Sequence, residues 1–189
     1  MTTKPVAAGK ISFDLIDAEL LFAELSLKKD TRLLDLACGR GAYALAASAY
    51  LGSKGRIYAV DLWEEGITAL QNEATARRIE QIDARVVDVS QRLPFEDRSM
   101  DVCLMATVLH DLIQVRTDQA ALKEVCRTLK NQGTLAIVEF KKIDGPPGPP
   151  VSIRLAPEEC QAHLQPFGLD LVRHLDVGPY NYLALFKQI

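Results

Sequence analysis

Residues 31–41 read TRLLDLACGRG: a short apolar run from Thr31 to Leu36, a carboxylate at Asp35, and a glycine-bearing break at Cys38-Gly39-Arg40-Gly41. An alanine-rich stretch from Ala42 to Leu51 follows, so the segment predicts strand, tight turn, helix. The same alternation recurs downstream. Strands are expected over Arg56–Asp61, Ala84–Asp88, Asp101–Ala106 and Thr134–Phe140, with helices over Glu64–Ile79 and Asp118–Leu129. Strands that alternate with helices imply crossover connections and an α/β, mostly parallel, doubly wound sheet. The near-continuous apolar runs VCLMA (102–106) and LAIVEF (135–140) agree, because a central parallel strand is covered on both faces.

The two ends of the chain read differently. Asp17 is placed to cap a helix carrying Leu20, Leu21, Ala23 and Leu25, which should end at Lys28-Lys29-Asp30. After a helix beginning near Pro157, Leu169–Val177 and Tyr182–Phe186 are strand-like and joined only by Gly178-Pro179-Tyr180-Asn181. So short a link cannot carry a parallel crossover, and the last two strands should pair antiparallel. The stretch DGPPGPPVS (144–152) predicts a stiff connection or lid.

Composition narrows the functional classes. The 189 residues are one domain's worth, 1–189, and carry 22 Lys and Arg against 25 Asp and Glu, a net charge of −3. That offers no basic field for nucleic acid. Cys38, Cys103, Cys126 and Cys160 are scattered with only three histidines beside them, which argues against a metal site or disulfide framework and for small buried side chains. MTTKPVAAGK (1–10) precedes no long apolar run, so a cytoplasmic protein without membrane insertion is expected.

Ligands of such sheets bind beyond the carboxyl ends of the strands, where Asp35, Gly39, Gly41, Asp61, Asp88, His110 and Glu139 fall. Gly39-x-Gly41-x-x-Ala44 alone also fits a dinucleotide turn, and Asp61, twenty residues past Gly41, suits a ribose in either a nicotinamide or an S-adenosylmethionine enzyme. Asp35 separates the two. A carboxylate at the mouth of the turn repels a pyrophosphate but attracts the ammonium of S-adenosylmethionine. Asp88 would sit near the adenine, with a hydrogen-bond acceptor for its amine.

LLDLACGRG (33–41), VDLWEEG (60–66) and VVDVSQRLPFEDRSMDVCLMATVLHDL (86–112) together resemble the class I S-adenosylmethionine-dependent methyltransferases. The likeness is strongest to the small-molecule branch that includes quinone-biosynthesis enzymes, and it runs from Phe13 to Lys187. It implies a Rossmann-like seven-stranded sheet with an antiparallel last strand. It also implies that Asp35 and the backbone of Ala37, Gly39 and Gly41 hold the methionine moiety and that Asp61 holds the ribose. Leu62 would pack on the adenine, Asp88 and Val89 flank its other edge, and Ala106 face the methionine part. Ala37 stands where that family's turn often has its first glycine.

The activated methyl needs little more than an oriented nucleophile and exclusion of water. A base matters only if the acceptor must lose a proton. His110, with Asp111 to orient it, is the candidate, against a plain helix-capping role. Glu139, Tyr180, Phe13 and the Pro-rich loop could line the pocket of a small-molecule acceptor, while Glu139 could equally pair with Lys141 or Lys142. Trp63 could cover the adenine or anchor its helix. A nicotinamide oxidoreductase and a non-catalytic adenosylmethionine-binding protein are the alternatives.

Overall fold

A computed structural model describes residues 12–188; the segment MTTKPVAAGK lies outside the described residues. Seven strands, β1 (Arg32–Leu36), β2 (Arg56–Asp61), β3 (Ile82–Val86), β4 (Met100–Ala106), β5 (Leu129–Phe140), β6 (Leu169–Asp176) and β7 (Asn181–Gln188), form one sheet in the order β3-β2-β1-β4-β5-β7-β6. The five strands from β3 to β5 are parallel, and β7 runs antiparallel to both β5 and β6. The four-residue link before β7 has the consequence expected of it.

Period-two alternation splits each central strand between two cores. Leu33, Ile57, Ala59, Val102, Leu104, Ala136 and Val138 pack under α1 (Ala18–Leu25), α2 (Ala42–Ala47) and α3 (Glu64–Ala76). Leu34, Leu36, Val60, Cys103, Met105, Leu135 and Ile137 pack under α4 (Leu109–Gln114), α5 (Asp118–Thr128) and α6 (Pro157–Leu164). Each fully buried leucine or isoleucine contributes about 1.5–3 kcal/mol of transfer free energy, so two such layers hold the sheet on both sides. Asp17 caps α1 by accepting from Leu20 N at 3.0 Å, and Glu159 accepts from Ala156 N at 2.7 Å to start α6 behind Pro157.

Several boundaries differ from the sequence expectation, each for a local reason. α1 stops at Leu25 because Ser26 turns left-handed, with φ +50°. α2 tightens into a 3-10 turn over Ser48–Tyr50, and α3 ends at Ala76, just before the left-handed Arg78. β3 ends at Val86, two residues short of Asp88. α4 is a separate six-residue helix, carrying His110 in its first turn, where the sequence predicts no helix.

The Pro-rich connection is rigid for a reason absent from its own sequence. Arg154, 2% exposed, lies inside the loop and spends all five N–H donors on carbonyls. Nε donates to Pro149 O, one terminal nitrogen to Lys141 O and Ile143 O, and the other to Gly145 O and Pro147 O, at 2.7–3.1 Å. The segment after β5 is thus wrapped around one cation.

Candidate active site

The turn after β1 is built by three successive left-handed residues at alternate positions: Ala37 at φ +57°, Gly39 at +58° and Gly41 at +72°. Cys38 N donates to Val60 O and Gly41 N to Cys38 O, which fold the turn back toward β2. A Cβ on Gly41 would sit 2.4 Å from Leu70 Cδ2, so glycine lets α2 seat against α3. A Cβ on Gly39 would meet nothing within 4 Å. The backbone there borders open space, as an approaching ligand requires. Ala37 explains why its position favours glycine: an L-residue in this region costs about 1–2 kcal/mol, and alanine minimises the clash.

Two carboxylates face that turn. Asp61 closes β2, 8% exposed; its Oδ2 accepts from Gly39 N at 2.7 Å and its Oδ1 from Trp63 N at 2.8 Å. Asp35, 1% exposed, has an Oδ2 with no hydrogen-bond partner. Burial first, and then the charge of Asp61, push the Asp35 carboxyl up to about 7, against a smaller opposing bond from the Ala44 backbone. Neither carboxylate forms an ion pair among the described residues. A buried carboxyl with one orphaned oxygen, beside a second acid and an open glycine turn, fits a cationic ligand that carries hydroxyls.

The remaining cofactor-side residues divide. Leu62, 39% exposed beside Asp61, presents an apolar surface that a base could cover. Asp88 lies in the loop past β3, its Oδ1 accepting from Ser90 N at 2.9 Å and Ser90 Oγ at 2.7 Å, so it also shapes its own turn. Val89 packs into the core with Leu93. Ala106 ends β4 and is partly buried. Trp63 directly precedes α3 as its N-cap, and its ring lies where a Cβ on Gly66 would fall, 2.6 Å from Cε3, in keeping with an anchoring role. The four cysteines are free, and burial pushes their thiols up, to about 11 for Cys126 and about 12 for Cys160.

Across the rim stands a second pair. His110, 3% exposed, places Nδ1 2.7 Å from Oε2 of Glu139, which is wholly buried, and His110 N donates to Glu139 Oε1 at 3.2 Å. Asp111 Oδ1 is 3.6 Å from His110 Nε2, so the close orienting partner is Glu139 and not Asp111. The surface pairing considered for Glu139 is also replaced: Lys141 pairs with Asp176 and Lys142 with Glu159. The β4–β5 register, which sets Ala106 opposite Val138, brings Glu139 beside the residues that follow β4.

Sequence reading missed a hydroxyl chain, Thr107–Ser12–Tyr43, at this end of the sheet. Phe13 stands edge-on to Tyr43, ring centres 5.0 Å apart. The Tyr180 backbone carbonyl accepts from Lys141 N at 2.8 Å.

Comparison with known proteins agrees with this arrangement. A family model described as a methyltransferase domain matches residues 34–137. The chain belongs to that family, in its class I S-adenosylmethionine-dependent form, and S-adenosylmethionine is the family's cofactor. Its likeness is to the quinone-biosynthesis branch. The ubiquinone/menaquinone biosynthesis C-methyltransferase UbiE of Neisseria meningitidis is 32% identical over 124 residues, 64% of this chain and 47% of that protein. The UbiE of Francisella philomiragia is 31% identical over 166 residues, 86% and 61%. The 2-phytyl-1,4-naphtoquinone methyltransferase of Trichormus variabilis is 32% identical over 113 residues, 58% and 46%. The chain thus spans about half the length of most of these curated relatives. Among solved structures, a SAM dependent methyltransferase from Aquifex aeolicus superposes with a TM-score of 0.84 and 26% identity, covering 93% of this chain and 91% of that one.

Proposed function

We propose that this protein transfers a methyl group from S-adenosylmethionine to a hydroxylated, quinol-like small molecule. The observation that carries the reading is the buried Asp35 carboxyl with its orphaned oxygen, set beside Asp61 at the mouth of the open Gly39 turn. Asp35 and the Ala37–Gly41 backbone would hold the methionine end, Asp61 the ribose, and Leu62, Asp88 and Val89 the adenine, with Ala106 near the methionine part. When bound, S-adenosylmethionine supplies an activated methyl on a sulfonium. The acceptor class is drawn from the relatives, whose names are ubiquinone/menaquinone biosynthesis C-methyltransferase and 2-phytyl-1,4-naphtoquinone methyltransferase.

The chain's own contribution is orientation, exclusion of water and removal of one proton. Orientation alone accounts for roughly 7–11 kcal/mol of barrier lowering. His110 would take the acceptor's proton at Nε2, while Glu139, bonded to Nδ1, fixes the tautomer and stabilises the imidazolium that results. Free cysteines suit a reducing cytoplasm as the place of action.

Thermal-shift and calorimetric titrations with S-adenosylmethionine, S-adenosylhomocysteine and NAD test the proposal. The first two should bind and raise Tm, and NAD should not. Stabilisation by NAD alone would reverse the assignment.

A further inference from the structure

Three hydroxyls from three separate parts of the chain meet at the carboxyl rim. Thr107 Oγ1 donates to Ser12 Oγ at 3.0 Å, and Ser12 Oγ lies 3.0 Å from Tyr43 Oη. Thr107 directly follows β4, Tyr43 stands in the first turn of α2, and Ser12 precedes the short Phe13–Leu15 turn. Ser12 and Tyr43 are buried. Thr107 has φ +53°, a region that β-branched residues very rarely enter, and its N–H is held by Val138 O at 2.7 Å. Strain of this sort persists where the surroundings over-determine it, and it gathers at ligand sites.

The hydrogen-bond count leaves something over. Three hydroxyls carry three protons, and the two bonds of the chain use two. Whether Ser12 donates to Tyr43 or Tyr43 to Ser12, one proton on one of them has no acceptor within the chain. Burial holds the Tyr43 phenol un-ionised, outweighing the Ser12 bond, and the fields of Asp35 and Glu139 push the same way. Both carboxylates therefore act on this hydroxyl, and Thr107 at the far end of the chain directly follows β4, whose Ala106 lies opposite Val138, the residue before Glu139. In the loaded site each acid has a partner of its own: the bound sulfonium compound for Asp35 and the His110 ring for Glu139. The spare donor is left for an uncharged or developing negative oxygen.

We propose that the Tyr43–Ser12–Thr107 chain is the subsite that grips an oxygen of the methyl acceptor, which makes the substrate an aromatic or enolic hydroxyl compound. This rests on the methyl-transfer reading for the identity of the ligand, and it adds the residues that select it. Hydroxyls rotate. The chain can accept from an O–H before proton loss and donate to the O⁻ after it, a dual role that fixed donors such as backbone N–H groups cannot fill.

The test compares 2-naphthol with 2-methoxynaphthalene, whose oxygen has no proton and a blocking methyl, by fluorescence titration of protein saturated with S-adenosylhomocysteine. Wild type should bind 2-naphthol at least about tenfold more tightly. Tyr43→Phe and Ser12→Ala should shrink that preference to about threefold or less, and Thr107→Ser, which keeps the hydroxyl, should retain it. Each variant is first titrated with S-adenosylhomocysteine, so that a lost preference reports on the subsite and not on unfolding; should Tyr43→Phe fail to fold, Ser12→Ala carries the comparison. Equal binding of the two naphthalenes by wild type, or binding of neither, overturns the subsite. So does a preference that survives both Tyr43→Phe and Ser12→Ala. A wild-type protein that takes up no S-adenosylhomocysteine fails at the earlier step and sinks the methyl-transfer reading instead.

Discussion

Cofactor affinity should depend on pH through Asp35, and removing its charge should strengthen the empty protein while emptying the site. The carboxyl is raised from 3.8 to about 7 by burial and by Asp61. A folded-state value above the unfolded one means that the folded protein binds the extra proton between these limits, so its stability falls as pH rises from about 4 to 7. Roughly three units at 1.36 kcal/mol each amount to about 4 kcal/mol lost above pH 7, with little solvent screening at 1% exposure. Asp35→Asn should recover much of this, so its ligand-free form should outlast wild type in urea at pH 8.5 and match it near pH 4. The cationic cofactor requires the ionised form. Its apparent Kd should therefore weaken about tenfold from pH 8 to pH 6 in wild type, because only about a tenth of Asp35 is then ionised, and should be weak and nearly flat with pH in the variant. Calorimetric titrations at five pH values, beside urea unfolding of the ligand-free proteins, make the comparison. An Asp35→Asn protein that binds S-adenosylmethionine as tightly as wild type, with the same stability at pH 8.5, would refute the reasoning.

Gly41→Ala drives a Cβ into Leu70 and keeps a left-handed φ, so it should cost about 2–4 kcal/mol in urea unfolding, whereas Gly39→Ala should cost only about 1 kcal/mol yet block cofactor binding in calorimetry. Arg154→Met takes its donors from five carbonyls, of which Lys141 O keeps the Ile143 N–H, and should destabilise by about 2–4 kcal/mol and expose the 144–152 loop to limited proteolysis; Arg154→Lys, with three donors in another geometry, should recover only part. Glu139→Gln keeps the shape but removes the charge that supports protonated His110, so kcat with a quinol acceptor should fall about 10²-fold or more while S-adenosylhomocysteine affinity stays put.

Much of the cofactor side is legible from sequence because its parts are local. Asp35 and the Gly39–Gly41 turn adjoin along the chain, Asp61 ends a run whose apolar pattern marks its length, and the short link at Gly178–Asn181 dictates antiparallel pairing without knowledge of anything else. The acceptor side is not local. Glu139 finds His110 through the β4–β5 register, 29 residues apart, and its burial removes it from the lysines that neighbour it in sequence. Thr107 and Ser12 are separated by 95 residues, and no periodicity links them. Arg154 looks like an ordinary surface cation until the loop closes around it. α4 escaped because six residues are too few to display a helical repeat. The β3 boundary slipped for a related reason: Val87 still donates to Asp61 O after regular pairing has ended, so strand-like residues continue into the turn.

The central claim is that Asp61 holds the sugar of S-adenosylmethionine over the β1 turn. Calorimetry of S-adenosylmethionine binding to Asp61→Ala, folded as judged by circular dichroism, tests it most directly. A loss of affinity of about tenfold or more is predicted, since two hydroxyl partners and the Gly39 acceptor vanish together. Affinity equal to that of wild type would contradict the account.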